Sequence, residues 1–219
     1  KRKSHRRNDN VRKILIFSFV ILFLLSVGYE TFTTVININV SGTVKRADYY
    51  VSNSGSDETG NGTIDNPYLT IQKAYNEASK VASIYIMNDV SENTTINMDK
   101  EKKITLTTYS TNNIVHSIIK TTAVNNYMIN QAKGILTLKS ITLDGNNIED
   151  SNSGIYNSSI LNIYEDAAVK NFIVKNHNGG GIYNNGILNI DGSIISDNKA
   201  VEGGGIYCFS GTVLLKNGI

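Results

Sequence analysis

The chain has 219 residues, a net charge of +2, 18 % charged and 8 % aromatic residues, one Pro, one Cys and no Trp. A single cysteine excludes a disulfide framework, and the supply of Ile, Leu and Tyr excludes a disordered chain, while abundant Asn and Gly suit tight turns between short strands. The charge is uneven: seven of the 21 basic residues fall in positions 1–13 with one acid, which leaves 14 basic against 18 acidic residues in the rest.

Positions 1–13 read as a basic cytoplasmic flank, and Ile14 to Gly28 follow without a charge. A basic cluster alone could meet a nucleic acid. Joined to such an apolar run it reads as an export signal whose positive end stays inside, so a membrane partner is expected and a nucleic acid is not. The segment 14–29 suits a signal-peptide core better than a span of about 20 residues. Ser26-Val27-Gly28 offers a cleavage site, and Tyr29 a continuation into an uncleaved anchor. Either way the remainder is expected outside the cytoplasm, secreted or at the cell surface. Residues 30–48 read as an extended lead-in, with apolar residues at Val35, Ile36, Ile38 and Val40.

Residues 49–81 are predicted to form a cap. It holds a strand at Tyr49-Tyr50-Val51, a Gly/Asn/Asp/Ser loop and then a helix. Pro67 bars a start much earlier, Thr70 can serve as N-cap, and Ile71, Ala74, Tyr75, Ala78 and Val81 share one face. The cap is expected to cover the first coil of the adjoining repeats and to shield its sheet edge.

From 82 to 219 the chain is predicted to repeat. Strands are expected at 82–87, 94–98 and 103–108, with a less regular stretch at 114–130. Then one phrase occurs four times: Gly134-Ile135-Leu136-Thr137-Leu138, Ser159-Ile160-Leu161-Asn162-Ile163, Gly186-Ile187-Leu188-Asn189-Ile190 and Gly211-Thr212-Val213-Leu214-Leu215. Strand alternation puts Leu136, Leu161, Leu188 and Val213 on one face with Leu138, Ile163, Ile190 and Leu215, as the inward column. A second phrase, Gly-Ile-Tyr at 154–156, 181–183 and 205–207, runs in step with it. A third apolar run is expected at 141–143, 172–174 and 194–195. Self-similarity at this period marks a stacked solenoid, and three short strands per repeat without helical periodicity select a right-handed, single-stranded parallel β-helix, an all-β fold. Asn176 and Asn198 are expected to form an internal ladder, the triple-Gly runs to serve close coil packing, and Cys208 to be a small buried residue. Because the phrase at 211–215 opens a repeat that position 219 does not finish, further coils are expected beyond it.

Two of these stretches resemble known proteins. Tyr50-Val51-Ser52 with Gly55 and Asp57, followed by Asn66-Pro67-Tyr68-Leu69-Thr70-Ile71-Gln72-Lys73-Ala74, is similar to the amino-terminal cap of extracellular β-helix proteins of the pectin-lyase-like superfamily. Gly179 to Tyr183 and Gly203 to Tyr207 are similar to repeats of adhesin-like and polymorphic outer-membrane proteins. The resemblance implies a bacterial surface protein. For function it leaves two expectations: an adhesin-like or glycan-binding module, or a polysaccharide lyase or epimerase whose active coils lie beyond position 219 or on a loop at 164–170.

Lyase chemistry needs a cation clamp with a Lys or Arg base, and glycoside cleavage needs close-set carboxylates. Asp144, Asp166, Asp191 and Asp197 occupy different turns and repeat phases and read as turn residues. His116 and His177 are lone, so no metal site, catalytic set or cofactor is expected. The ligand-binding candidates are Tyr156, Tyr183 and Tyr207. Alternation that turns Ile155, Ile182 and Ile206 inward sends these rings outward in a row about 5 Å apart, where they can bind a glycan or host surface or simply stabilise the sheet.

Overall fold

The computed structural model describes residues 47–123 and 125–217. The basic flank, the signal segment at 14–29 and most of the lead-in lie outside them. Among the described residues no helix is long and apolar enough to cross a membrane.

Strand β1 (Ala47–Val51) and helix α1 (Ile71–Glu77) precede five coils. The first is β2 (Val81–Ile86), β3 (Val90–Glu92) and β4 (Ile96–Met98); the second is β5 (Lys103–Thr108), β6 (Ser117–Lys120) and β7 (Ile129–Gln131). The third runs through β8 (Ile135–Lys139), β9 (Thr142–Asp144), β10 (Glu149–Asp150) and β11 (Ile155–Asn157). The fourth holds β12 (Ile160–Tyr164), β13 (Ala168–Lys170), β14 (Ile173–Val174) and β15 (Ile182–Asn184). The fifth holds β16 (Ile187–Asp191), β17 (Ile194–Ser196) and β18 (Ile206–Cys208), and β19 (Thr212–Lys216) opens another.

Each strand pairs in parallel with its counterpart one coil away. The result is a seven-stranded sheet β1-β2-β5-β8-β12-β16-β19 and two five-stranded sheets, β3-β6-β9-β13-β17 and β4-β7-β11-β15-β18. The register is the one the repeated phrase dictates: Leu136, Leu161, Leu188 and Val213 are successive partners, as are Leu138, Ile163, Ile190 and Leu215. Six of these eight side chains are buried, whereas Val213 is only partly covered and Leu215 is 62 % exposed. Both exceptions lie on β19, the outermost strand of the described sheet, which confirms that burial comes from the neighbouring coil rather than from within a coil.

The third apolar run differs from expectation in the fourth coil. There the counterpart of β9 and β17 is β13, with Val169 opposite Leu143 and Ile195. Phe172 to Val174 instead lie past the strand, where β14 pairs with β10 and Ile173 bridges to Lys199. Ala168–Lys170 has only one large apolar residue, and the buried Phe172 draws the eye away from it. The stretch 164–170, expected as a loop, is the end of β12, a turn and β13.

Helix α1 starts where its cap chemistry requires. Thr70 Oγ1 accepts from the Lys73 N–H at 3.1 Å, and Asp57 accepts from the Leu69 and Thr70 N–H groups and the Thr70 hydroxyl. Ile71, Ala74 and Tyr75 are buried, and Ala78 follows as the C-cap. Val81, expected on the same helical face, begins β2 instead. At the other end the Lys102 ammonium donates to the carbonyls of Tyr75, Asn76 and Ala78 at 2.6 to 3.2 Å, satisfying acceptors that the helix leaves open. Gln72 exchanges hydrogen bonds with the backbone of Asn97 next to it.

The glycine runs let coils approach. A Cβ on Gly180 would stand 2.3 Å from the Gly204 carbonyl oxygen, while Gly179 and Gly203 have φ of 75° and 60°. The buried Asn ladder is found at Asn157 and Asn184 rather than at Asn176 and Asn198. Asn157 Nδ2 donates to Asn184 Oδ1 at 2.7 Å, and Asn184 Nδ2 donates to the Gly186 and Thr212 carbonyls. Asn198 instead fastens a corner, donating to the Val169 carbonyl and accepting from the Phe172 N–H. Cys208 occupies the ladder position one coil beyond Asn184 and is exposed, not buried, because it lies on the outermost strand of its sheet.

Two further buried polar sites had no signal in the repeat. Glu92 on β3 and Lys120 on β6 are register partners and both are buried. The Lys120 ammonium meets the Asp150 carboxylate of β10, and both side chains are 1 % exposed.

Candidate functional site

Strand alternation builds the site. In Ile-Tyr-Asn the Ile and Asn point inward and the Tyr outward, so the register Tyr156–Tyr183–Tyr207 lays one phenol on each coil. Ring centroids are 5.8 Å apart from Tyr156 to Tyr183 and 5.4 Å from Tyr183 to Tyr207. The expected row is present, and it is longer and richer than the repeated phrase indicates. Tyr127 stacks on Tyr156 at 4.9 Å although Asn130, not Tyr127, is the register partner of Tyr156. Phe209 lies 6.1 Å from Tyr183, and His177 tilts against the same ring at 5.3 Å. Tyr127, His177 and Phe209 come from corners between strands, outside the phrase, which is why periodicity did not single them out.

Ring orientation limits what the row can do. From Tyr127 to Tyr156 to Tyr183 the interplanar angles are 29° and 25°, so ring faces meet one another along the coil axis and the edges and hydroxyls face out. Tyr207 breaks this order at 43°, and Phe209 is 64 % exposed. Partial burial, with the neighbouring phenols adding to it, raises the Tyr183 and Tyr127 hydroxyls above the ordinary phenol value. They remain neutral donors and acceptors at physiological pH.

A second aromatic group sits on the outer face of the seven-stranded sheet. Tyr50 and Tyr85 are register partners stacked at 5.2 Å, and Tyr109 meets both edge-on at 5.4 and 6.2 Å. Farther along the same sheet a groove of about 300 Å³ is lined by Thr107, Ser110, Ile114, Ser140 and Asp166.

Asp144 ends β9 and Asp191 ends β16, whereas Asp166 and Asp197 lie in corners. Asp166 and Asp197 have φ of 58° and 55°, the left-handed conformation that Asp tolerates in turns. Asp144 accepts from the Asn146 N–H and from Asn171, and Asp191 accepts from Asn217. His116 lies 3.7 Å from Asp89. Among the described residues no group of three or more His, Cys, Asp or Glu side chains could hold a metal ion.

No family model matches the chain, and no solved structure matches it. Over 99 residues it is 30 % identical to a transmembrane domain-containing protein of Dictyostelium discoideum, a match that covers 40 % of this chain. The chain spans 6 % of that relative's length.

Proposed function

We propose that this chain is an exported surface β-helix of the right-handed, pectin-lyase-like kind, working as an adhesin-like, glycan-binding module. Tyr127, Tyr156, Tyr183 and Tyr207 form its contact line. The observation that carries this reading is the continuous row of phenols, one per coil, at 4.9 to 5.8 Å. An extended peptide laid along the row would present same-face side chains about every 6.6 to 6.8 Å and would drift out of step. A glycan carries hydroxyls on every ring and can meet a phenol edge and hydroxyl at each coil.

Other features support the remaining parts. Parallel crossovers of this kind are right-handed in nearly all cases. Helix α1, with Gln72 and Lys102 joining it to Asn97 and to the start of β5, acts as the cover of the first coil. Export and tethering rest on the basic flank and apolar run of 1–29, and the matched relative's name, a transmembrane domain-containing protein, is consistent with them.

The test replaces Tyr156, Tyr183 and Tyr207 by Ser together and measures binding to a glycan array. With the fold verified by circular dichroism, loss of three edge contacts should weaken binding at least about tenfold, the equivalent of about 1.4 kcal/mol. Undiminished binding by the folded triple variant rejects the row as the contact line.

A further inference from the structure

Lys120 and Asp150 stand 30 residues apart in sequence and meet in the corner between the second and third coils, each 1 % exposed. Ile118, two residues before Lys120 on the same inward face, is fully buried, Val174, the register partner of Asp150, is buried as well, and so is Glu92, the register partner of Lys120. Such a place carries a large desolvation cost for charge and sets the Lys120 side-chain nitrogen against the Asp150 carboxyl group. That is the reactive pair for amide formation. Asp150 Oδ1 accepts from the Ser151 N–H at 2.6 Å, so a backbone donor is already placed where negative charge would develop during attack on Cγ. Held in contact by the coil ladders, the two groups have the advantage of an intramolecular reaction, and a dry corner gives water little access for the reverse step.

We propose that Lys120 and Asp150 join in an intramolecular amide that cross-links the second coil to the third. The Nζ lone pair forms the bond to Cγ and the Cγ–Oδ2 bond breaks. Of the three Nζ protons one stays on the amide nitrogen and two leave with Oδ2 as water, so no oxidant, reductant or cofactor is involved. Glu92, across the ladder from Lys120 on the same inward side, is the next titratable group in this corner. Burial pushes its carboxyl up to about 7, and that carboxyl accepts from the Ile71 N–H on the cap side.

The experiment is intact-mass measurement of the full chain under denaturing conditions, followed by peptide mapping. The expected mass is one water below that of the sequence, with a branched peptide joining the segments that contain Lys120 and Asp150. Lys120→Met and Asp150→Ala should return the full sequence mass, and Asp150→Asn should lose one ammonia in place of water. A wild-type chain that is folded by circular dichroism yet carries the full sequence mass overturns the cross-link. So does a lost water that maps to a linear peptide around Asp144-Gly145, where cyclisation of the Asp onto its own backbone gives the same mass.

Discussion

At the scale of single residues, Glu92 couples folding to pH. Burial, with the Asp57 carboxylate adding to it, outweighs the Ile71 N–H that stabilises the charged form and holds its pKa at about 7 against an ordinary 4.5. Between those values the folded chain binds more protons than the unfolded one, so stability falls as pH rises. The contribution is complete below pH 4.5 and lost on passing 7, amounting to about 3 kcal/mol from this group. Urea unfolding at pH 5 and pH 8 should show the loss in the wild type, and Glu92→Gln should flatten that part of the profile. An equal slope in the variant assigns the effect to other groups. Tyr183 illustrates the opposite case: its hydroxyl is raised further from neutrality, so no binding change through it is expected between pH 5 and 8.

At the scale of strands, the inward columns decide stability. Leu188 is fully buried between Leu161 and Val213, so Leu188→Asp places an unpaired carboxylate in the core and should cost about 3 kcal/mol or more. Asn189, one residue away on the outer face, donates to Asn162 Oδ1 at 2.8 Å. Asn189→Asp removes that donor and should cost about 1 kcal/mol, a small change but not a silent one. Denaturant midpoints of the two variants check the register, and equal shifts refute it. Glycines should divide in the same way. Gly180→Ala drives a Cβ against the Gly204 carbonyl and should cost about 2 kcal/mol, whereas Gly192→Ala, at φ 62° with nothing within 4 Å, should cost about 1 kcal/mol from backbone strain alone. The positions legible in the sequence are those that recur: the Leu/Ile columns, the Gly-Ile-Tyr row and the Thr70 cap all belong to a periodic or capping pattern. Glu92, Lys120 and Asp150 occur once each, and Tyr127 and His177 reach the row from corners of unequal length. Their partners are set by how the chain turns, a property no local pattern encodes. Asn157 and Asn184 were visible as a repeated Asn after Gly-Ile-Tyr, but Asn176 and Asn198 lay in more conspicuous turns.

At the scale of the whole coil stack, each coil gains its burial from the coils on either side, so protection cannot be uniform. Amide hydrogen exchange should be slowest in β8, β9, β12 and β13, which have ladder partners on both sides, and faster in the turns between strands. Equal protection of strands and turns would indicate all-or-none opening instead. In the third to fifth coils the three corners differ in length. Corners 140–141, 165–167 and 192–193, and likewise 158–159, 185–186 and 209–211, are tight, whereas 145–154, 171–181 and 197–205 are long. The tight corners already absorb one extra residue, 165–167 against 140–141 and 209–211 against 185–186, with the following strands in register. One added at the long corner can bulge outward and leave the sheets in register. Since that corner leads directly into the tyrosine strands and supplies His177, its length and composition can vary in descent or by design, changing what borders the row while the interior sequence stays fixed.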